Sequence, residues 1–133
     1  MKKWLLVKNV MVAALVVLVL PLAAHAAEVE DFQLKTTKDL YDLCSTPESD
    51  AKSVAAIHAC HGYIAGAIHY HDALADGKEY KRLICYPPTA VMADAITAFF
   101  KWCQANLNDA KLMAELPVIG VVRALGNKYP CEK

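Results

Sequence analysis

The chain has 133 residues with 14 basic and 14 acidic side chains, so its formal net charge at pH 7 is zero. This length suits one small domain, which buries somewhat less than about two-thirds of its unfolded surface. Lys and Arg do not cluster along the chain, which argues against a nucleic-acid-binding protein.

The first 26 residues have the parts of a secretory signal peptide. Three lysines precede an apolar run from Val10 to Leu20, and Ala24-His25-Ala26 matches a small-residue cleavage site. We expect cleavage between Ala26 and Ala27. A membrane anchor is the alternative, but the apolar run is shorter than the ~20 residues that span a bilayer.

The mature chain, residues 27–133, is predicted to be one exported domain. Because three of the 14 basic residues lie in the leader, the remaining 107 residues carry 11 basic and 14 acidic side chains, a net charge of −3. All five cysteines lie in this part, and an exported chain meets an oxidising compartment, where disulfides form. The short, lysine-rich leader indicates the bacterial periplasm.

The first two predicted helices are separated by a short turn. Thr36 or Thr37 can cap a first helix, and Pro47 fits the start of the next one. The inward side of the first helix comprises Leu40, Tyr41, Leu43 and Cys44.

The second helix, from about Asp50 to Asp76, is predicted to lie at the centre of the domain. At about 100° per residue, one side is apolar: Ile57, Cys60, Ile64, Ala67, Ile68, His71 and Leu74. A second side has small residues: Ala55, Ala59, Gly62, Gly66 and Ala73. A helix with two apolar sides is expected to pack from two directions.

The second half of the chain continues the helical pattern. The charged segment Asp76 to Arg82 predicts a surface loop, and Tyr86-Pro87-Pro88-Thr89 opens a third, amphipathic helix. Its apolar face comprises Met92, Ile96, Phe99, Phe100, Cys103 and Leu107. Asn108 or Asp109 can cap a short turn, and Pro117 can begin a mostly buried last helix that ends near Lys128. With no strand-like alternation, the chain is predicted to be an all-α bundle of four to five helices, stapled by disulfides.

Helix geometry favours two disulfides, although sequence alone does not settle connectivity. Cys44 ends the first helix and lies a short turn away from Cys60. Cys85 precedes the third helix and Cys131 follows the last, so antiparallel packing of these helices would bring the two together. Cys103 remains, and we interpret it as a small buried apolar group; a reactive or intermolecular thiol is the alternative.

The polar residues of the second helix suggest metal binding or catalysis, and neither hypothesis is favoured. His58 and His61 are one turn apart and could share a metal ion, with His69 and Asp72 as a second pair. The two pairs are too distant to form one site, so a solvated polar wedge is the preferred interpretation. A catalytic cysteine needs an accessible thiolate beside a base, and neither Cys60 nor Cys103 meets that condition. We therefore predict no enzyme, no cofactor and no metal.

The small-residue side of the second helix allows close helix packing. Its partner could be the last helix of the same chain, which we favour, or the same helix of a second copy.

The spacing of several motifs resembles the Rap/Tai-type immunity family of periplasmic proteins. The matching residues are Leu40-Tyr41-x-x-Cys44, Cys60-x-x-Tyr63-x-x-Gly66, Cys85-Tyr86-Pro87, Ala124-Leu125 and Tyr129-Pro130-Cys131. The resemblance implies a disulfide-stapled helical domain, often dimeric, that binds a papain-like peptidoglycan amidase delivered by type VI secretion and blocks its cleft. It transfers no individual contact residue.

Residue chemistry suggests where such a partner could bind. An inhibitor of a cleft needs a protruding anchor, and Tyr and Arg are favoured at binding hot spots. The predicted loop offers Lys78, Tyr80, Lys81 and Arg82. An ordinary solvated loop is the alternative interpretation.

A second function also fits the sequence. Small helical periplasmic proteins with disulfides resemble the HdeA-like acid-stress chaperones, and four histidines in the mature chain would gain charge as the pH falls through the range of about 5 to 8. The alternatives to the immunity function are thus an acid chaperone or another non-catalytic envelope binding protein.

Overall fold

A computed structural model describes residues 32–77 and 80–132. The predicted signal peptide, its cleavage site between Ala26 and Ala27, and Lys78 lie outside the described residues. Within them the chain forms helices and no strand, which confirms the predicted all-α bundle. The helices are α1 Thr37–Cys44, α2 Ser53–Asp76, α3 Met92–Asn106, α4 Ala110–Met113 and α5 Pro117–Lys128. None of those in the described part is long and apolar enough to cross a membrane.

The starts of α1, α4 and α5 follow from capping residues. The Thr36 hydroxyl accepts the Asp39 N–H at 3.1 Å, and the Asp39 carboxylate accepts the Thr36 N–H at 2.8 Å, a reciprocal capping box. The Asp109 carboxylate accepts the Leu112 N–H at 3.1 Å, and Pro117 is the first residue of α5. These three predicted starts are confirmed.

The other two helices begin slightly later than predicted. The chain is still in a turn at Asp50, whose carboxylate accepts the Lys52 N–H at 2.7 Å, so α2 begins at Ser53. In α3 the Asp94 carboxylate accepts the N–H of the residue before the helix at 3.0 Å. This bond caps the helix at Met92, after the double proline rather than within it.

Both predicted disulfides are present. The Cα atoms of Cys44 and Cys60 are 5.2 Å apart, and those of Cys85 and Cys131 are 4.9 Å apart. They close loops of 16 and 46 residues, which would add roughly 3 and 4 kcal/mol in the chain-entropy model. Cys103 is a buried free thiol, and burial followed by the nearby Asp42 charge raises its pKa to about 12. The thiol is therefore protonated at neutral pH, as expected for a small apolar group in the core.

The core forms where α1, α3 and α5 meet one side of α2. Its largest fully buried apolar side chains are Phe99, Leu40, Leu43, Ile64, Ile84, Leu125 and Val121. At its edge the rings of Tyr41 and Phe100 stack with their centroids 5.2 Å apart.

The contact between α1 and α5 around Thr37 and Gly120, here called the closed side, is very tight. The Thr37 N–H donates to the Glu115 carbonyl at 2.7 Å, and the Thr37 hydroxyl donates to the Leu116 carbonyl at 3.2 Å. A Cβ atom on Gly120 would lie 2.4 Å from the Thr37 methyl carbon. Only glycine therefore fits at this crossing without movement of α1 or α5.

The outward face of α2 around Gly62 and Gly66, here called the open side, contradicts the sequence prediction. The buried residues of α2 lie on the opposite face: Ser53, Ala56, Cys60, Ile64 and Ile68. A Cβ atom added to Gly62 or Gly66 meets no neighbouring atom within 4 Å among the described residues. The prediction that α2 is packed from two directions is wrong, and so is the expectation that the last helix covers its small residues. Because Gly and Ala carry little apolar area, leaving them exposed costs little.

Two smaller expectations about burial are also corrected. Leu107 was expected in the core but is 40% exposed, because α3 ends one residue before it. Helix α5 was expected to be buried around most of its circumference apart from Arg123, yet its buried residues are confined to Pro117, Gly120, Val121, Ala124 and Leu125, and Ile119 is 40% exposed.

Candidate functional site

The predicted contact loop lies in the connection between α2 and α3. Helix α2 ends at Asp76, and the chain next becomes helical at Met92. Tyr80 is 60% exposed and Lys81 is also exposed, as an anchor for a partner would need to be. The side chain of Lys78 lies outside the described residues, so three of the four predicted contact residues can be located.

Arg82 is engaged within the chain rather than offered to a partner. Its Nη1 donates to the Asp72 carboxylate at 2.7 Å, and its Nη2 donates to the Asp76 carboxylate. A guanidinium between two carboxylates gives up both contacts if it turns towards another protein. The exposed part of the predicted site is therefore Tyr80 and Lys81, and their role in binding stays a prediction.

Asp72 lies at the centre of a polar cluster that the sequence did not reveal. Besides Arg82, its carboxylate accepts hydrogen bonds from the Tyr86 hydroxyl and from His71 Nδ1, the latter at 3.2 Å. His71 Nε2 in turn accepts the Leu83 N–H at 3.1 Å. A backbone N–H can only donate, so His71 is neutral with its proton on Nδ1, facing Asp72. We call these residues the Asp72 cluster: His71, Asp72, Asp76, Arg82, Leu83 and Tyr86.

The electrostatics of the cluster keep Asp72 ionised and Tyr86 protonated. Partial burial raises the pKa of Asp72, but hydrogen bonds from Tyr86, His71 and Arg82, with the Arg82 charge, outweigh it and hold that pKa below its usual value. Burial, and then the hydrogen bond to Asp72, raise the pKa of Tyr86 to about 12. The hydroxyl therefore remains a donor to a carboxylate across the neutral range.

A groove of about 240 Å³ opens beside the cluster. Asp72 and Tyr86 form part of its wall. Its apolar lining comprises Ile68, Ala90, Val91, Met92, Ala95 and Leu125.

The remaining histidines of α2 lie at the surface. His58, His61 and His69 are exposed on α2, which agrees with a solvated polar wedge. The described part of the chain holds no group of three or more His, Cys, Asp or Glu that could bind a metal ion. Asp72, which we had placed in that wedge, belongs instead to the cluster around Arg82.

Neither Cys60 nor Cys103 is placed to act as a nucleophile. Cys60 is bonded to Cys44, and the Cys103 thiol is buried and protonated. Fold and site together define a small disulfide-bonded helical protein in which Tyr80 and Lys81 lie exposed after the end of α2.

The chain belongs to the Rap1a immunity protein family, whose pattern it matches over residues 36–131. The resemblance inferred from the sequence is thereby confirmed. Members of this family are non-catalytic inhibitors, so the chain is an immunity protein for a secreted toxin and not an enzyme. No curated protein and no solved structure matches the chain. The family match supports the immunity function and lends no support to the acid-chaperone alternative.

Proposed function

We propose that this immunity protein acts in the bacterial periplasm, where it inhibits a peptidoglycan amidase delivered by type VI secretion. The family assignment supports the toxin-binding part of this proposal. The signal-peptide pattern and the cysteines support an oxidising compartment outside the cytoplasm. Peptidoglycan is the polymer in that compartment that needs protection, which makes an amidase the proposed toxin.

The observation that carries the mechanism is the exposed Tyr80 on a loop whose base is fixed. An aromatic side chain presents a large apolar area at a low cost in conformational entropy, and a fixed base lowers that cost further. Inserted into the toxin's cleft, Tyr80 would exclude substrate, with Lys81 contributing a charge at the rim. Lys78 and Arg82 flank this contact.

The test is a comparison of two paired variants. Tyr80→Ala with Lys81→Ala should weaken binding to a purified amidase and abolish rescue from lysis when the toxin is directed to the periplasm. Leu116→Ala with Lys111→Ala is the matched control, because it also removes one exposed apolar side chain, 63% exposed, and one exposed lysine. Equal affinity for both variants would remove this loop from the mechanism.

The proposed periplasmic location is tested separately. N-terminal sequencing of the protein from a periplasmic extract should give Ala27 as the first residue. Replacing Ala24 and Ala26 by bulky residues should leave the leader attached, and recovery of only the uncleaved chain from the cytoplasm would contradict the proposed location.

We further propose that the protein is a homodimer formed through the open side of α2. Between Ser53 and His71 this helix has no Asp, Glu, Lys or Arg, and Val54 and Tyr70 on it are 67% and 64% exposed. An antiparallel pairing would place Gly62 of each copy against Gly66 of the other, which allows the close backbone approach that small residues favour.

Sedimentation distinguishes this dimer from a monomer. Gly66→Glu places a charge in the proposed interface and should give a monomer at concentrations where the wild-type protein is dimeric. Ala105→Glu, on an exposed position of α3, is the control and should leave the mass unchanged. A wild-type protein that is monomeric at all concentrations would contradict the dimer.

A further inference from the structure

The connection that carries Tyr80 is held to α2 at its base by the Asp72 cluster. Arg82 bridges Asp72 and Asp76, which are one turn apart on the helix. Because Asp76 is the last residue of α2, this bridge ties Arg82, two residues after Tyr80, to the end of the helix. The Arg82 side chain is thus held at two points of α2.

The segment after Arg82 is fixed at three further points. The Leu83 N–H donates to His71, and the Tyr86 hydroxyl donates to the second oxygen of Asp72. Between them the Cys85 N–H donates to the Tyr129 carbonyl at 2.9 Å, beside the disulfide to Cys131. The chain leaving the loop is therefore tied both to α2 and to the end of α5.

Asp72 contacts both the start and the end of the segment from Arg82 to Tyr86. One oxygen accepts from Arg82 at the base of the loop, and the other accepts from Tyr86, four residues further along. Its charge also orients His71, which holds the Leu83 amide. Loss of the charge at Asp72 would loosen all three of these attachments at once.

We propose that Asp72 is a positioning residue for toxin binding: through Arg82, Tyr86 and His71 it fixes the segment from Arg82 to Tyr86, and with it the position of the nearby Tyr80, without contacting the toxin itself. This inference rests on the proposed role of Tyr80. Its physical basis is preorganisation, since Tyr80 loses less conformational entropy on binding when the residues that follow it are already held in place.

A merely stabilising role for Asp72 makes a different prediction. Ion pairs that are partly exposed to solvent contribute little to global stability, and two disulfides and the core remain when the cluster is broken. Local order in the loop should therefore fall while the thermal midpoint changes little.

The experiment measures amide exchange and toxin affinity on the same variants. Asp72→Asn keeps the shape of the side chain and removes its charge, and Tyr86→Phe removes only one hydroxyl. Glu115→Gln is the matched control, because Glu115 also holds an arginine, Arg123, in two hydrogen bonds at 2.7 and 2.8 Å. We expect the Leu83 amide to exchange faster in Asp72→Asn and, less so, in Tyr86→Phe, and toxin affinity to fall about tenfold in Asp72→Asn. Glu115→Gln should change neither.

A double-variant cycle separates positioning from direct contact. If Asp72 acts through the loop, Asp72→Asn should cost much less affinity when Tyr80 is already alanine. Fully additive losses would overturn the positioning role, and so would faster exchange at Leu83 with unchanged affinity.

The exchange measurement tests, without the toxin, whether the Asp72 cluster holds the Leu83 amide. Unchanged protection of Leu83 in Asp72→Asn would show that the cluster does not order the loop, whatever the affinity. If exchange is faster in Asp72→Asn but Tyr80→Ala has no effect on affinity, the proposed contact at Tyr80 is wrong, while the ordering effect of the Asp72 cluster is confirmed.

Discussion

The closed side and the open side of the molecule use the same residue type in opposite ways. At Gly120 the absence of a side chain lets α1 and α5 approach until a Cβ atom would overlap Thr37. At Gly62 and Gly66 an added Cβ atom would meet no neighbouring atom within 4 Å among the residues that the structure describes. Glycine content alone thus does not indicate packing inside one chain, because the same small residue serves a contact in one place and an exposed surface in the other.

The strongest test of this difference is to add a methyl group at position 120. Gly120→Ala should destabilise the protein by about 1–3 kcal/mol, the usual cost of forcing extra volume into a packed contact. Urea unfolding measures the change. Removing the opposing side chain in the Gly120→Ala/Thr37→Ala double variant should recover part of the loss, so the two substitutions should be non-additive. An additive result would mean that α1 and α5 do not meet at these residues.

The same substitution on the open side should have the opposite sign. Gly66→Ala should stabilise each chain by up to about 1 kcal/mol, because alanine is the better helix former and the added methyl would meet no atom of the described residues within 4 Å. The measurement is urea unfolding at a concentration where the protein is monomeric. Destabilisation there would show that Gly66 is already covered within the chain.

A smaller effect is expected from Tyr86, which lies on the connection between α2 and α3. Its pKa is raised from the ordinary 10.0 to about 12 in the folded protein. A raised pKa means that folding favours the protonated hydroxyl, so this contribution is complete below about pH 10 and is lost as the pH rises to about 12. Unfolding free energies measured from pH 9 to 12 should fall more steeply for the wild-type protein than for Tyr86→Phe. Parallel curves would show that the phenol does not gain from Asp72.

Much of the fold could be predicted because its signals are local. Thr36, Asp109 and Pro117 mark helix starts through bonds or backbone constraints within a few residues. The disulfides followed from the order of helices, since Cys44 at the end of α1 lies a short turn away from Cys60 in the early part of α2, and Cys85 and Cys131 flank two helices that pack together.

The features that were predicted wrongly, or not at all, depend on contacts that the periodicity of the sequence does not encode. The small residues of α2 form a regular stripe whether they face another helix or solvent, so the pattern alone could not place Gly62 and Gly66 on an exposed face. Asp72 finds Arg82 and Tyr86 ten and fourteen residues away, across a change of direction at the end of α2. The sequence shows only that an Asp, an Arg and a Tyr lie within fifteen residues of one another, and this proximity does not predict which side chains are bonded.

The ion pair between Asp76 and Arg82 has one more consequence, for how such a protein could change its target. The five residues between them join two points already fixed by the helix and by the connection to α3. The sequence of that segment could therefore be exchanged as a unit. On the proposed role of Tyr80, we expect a different five-residue sequence grafted there to alter recognition without redesigning the scaffold, and a library of such grafts would be a direct route to inhibitors of new toxins.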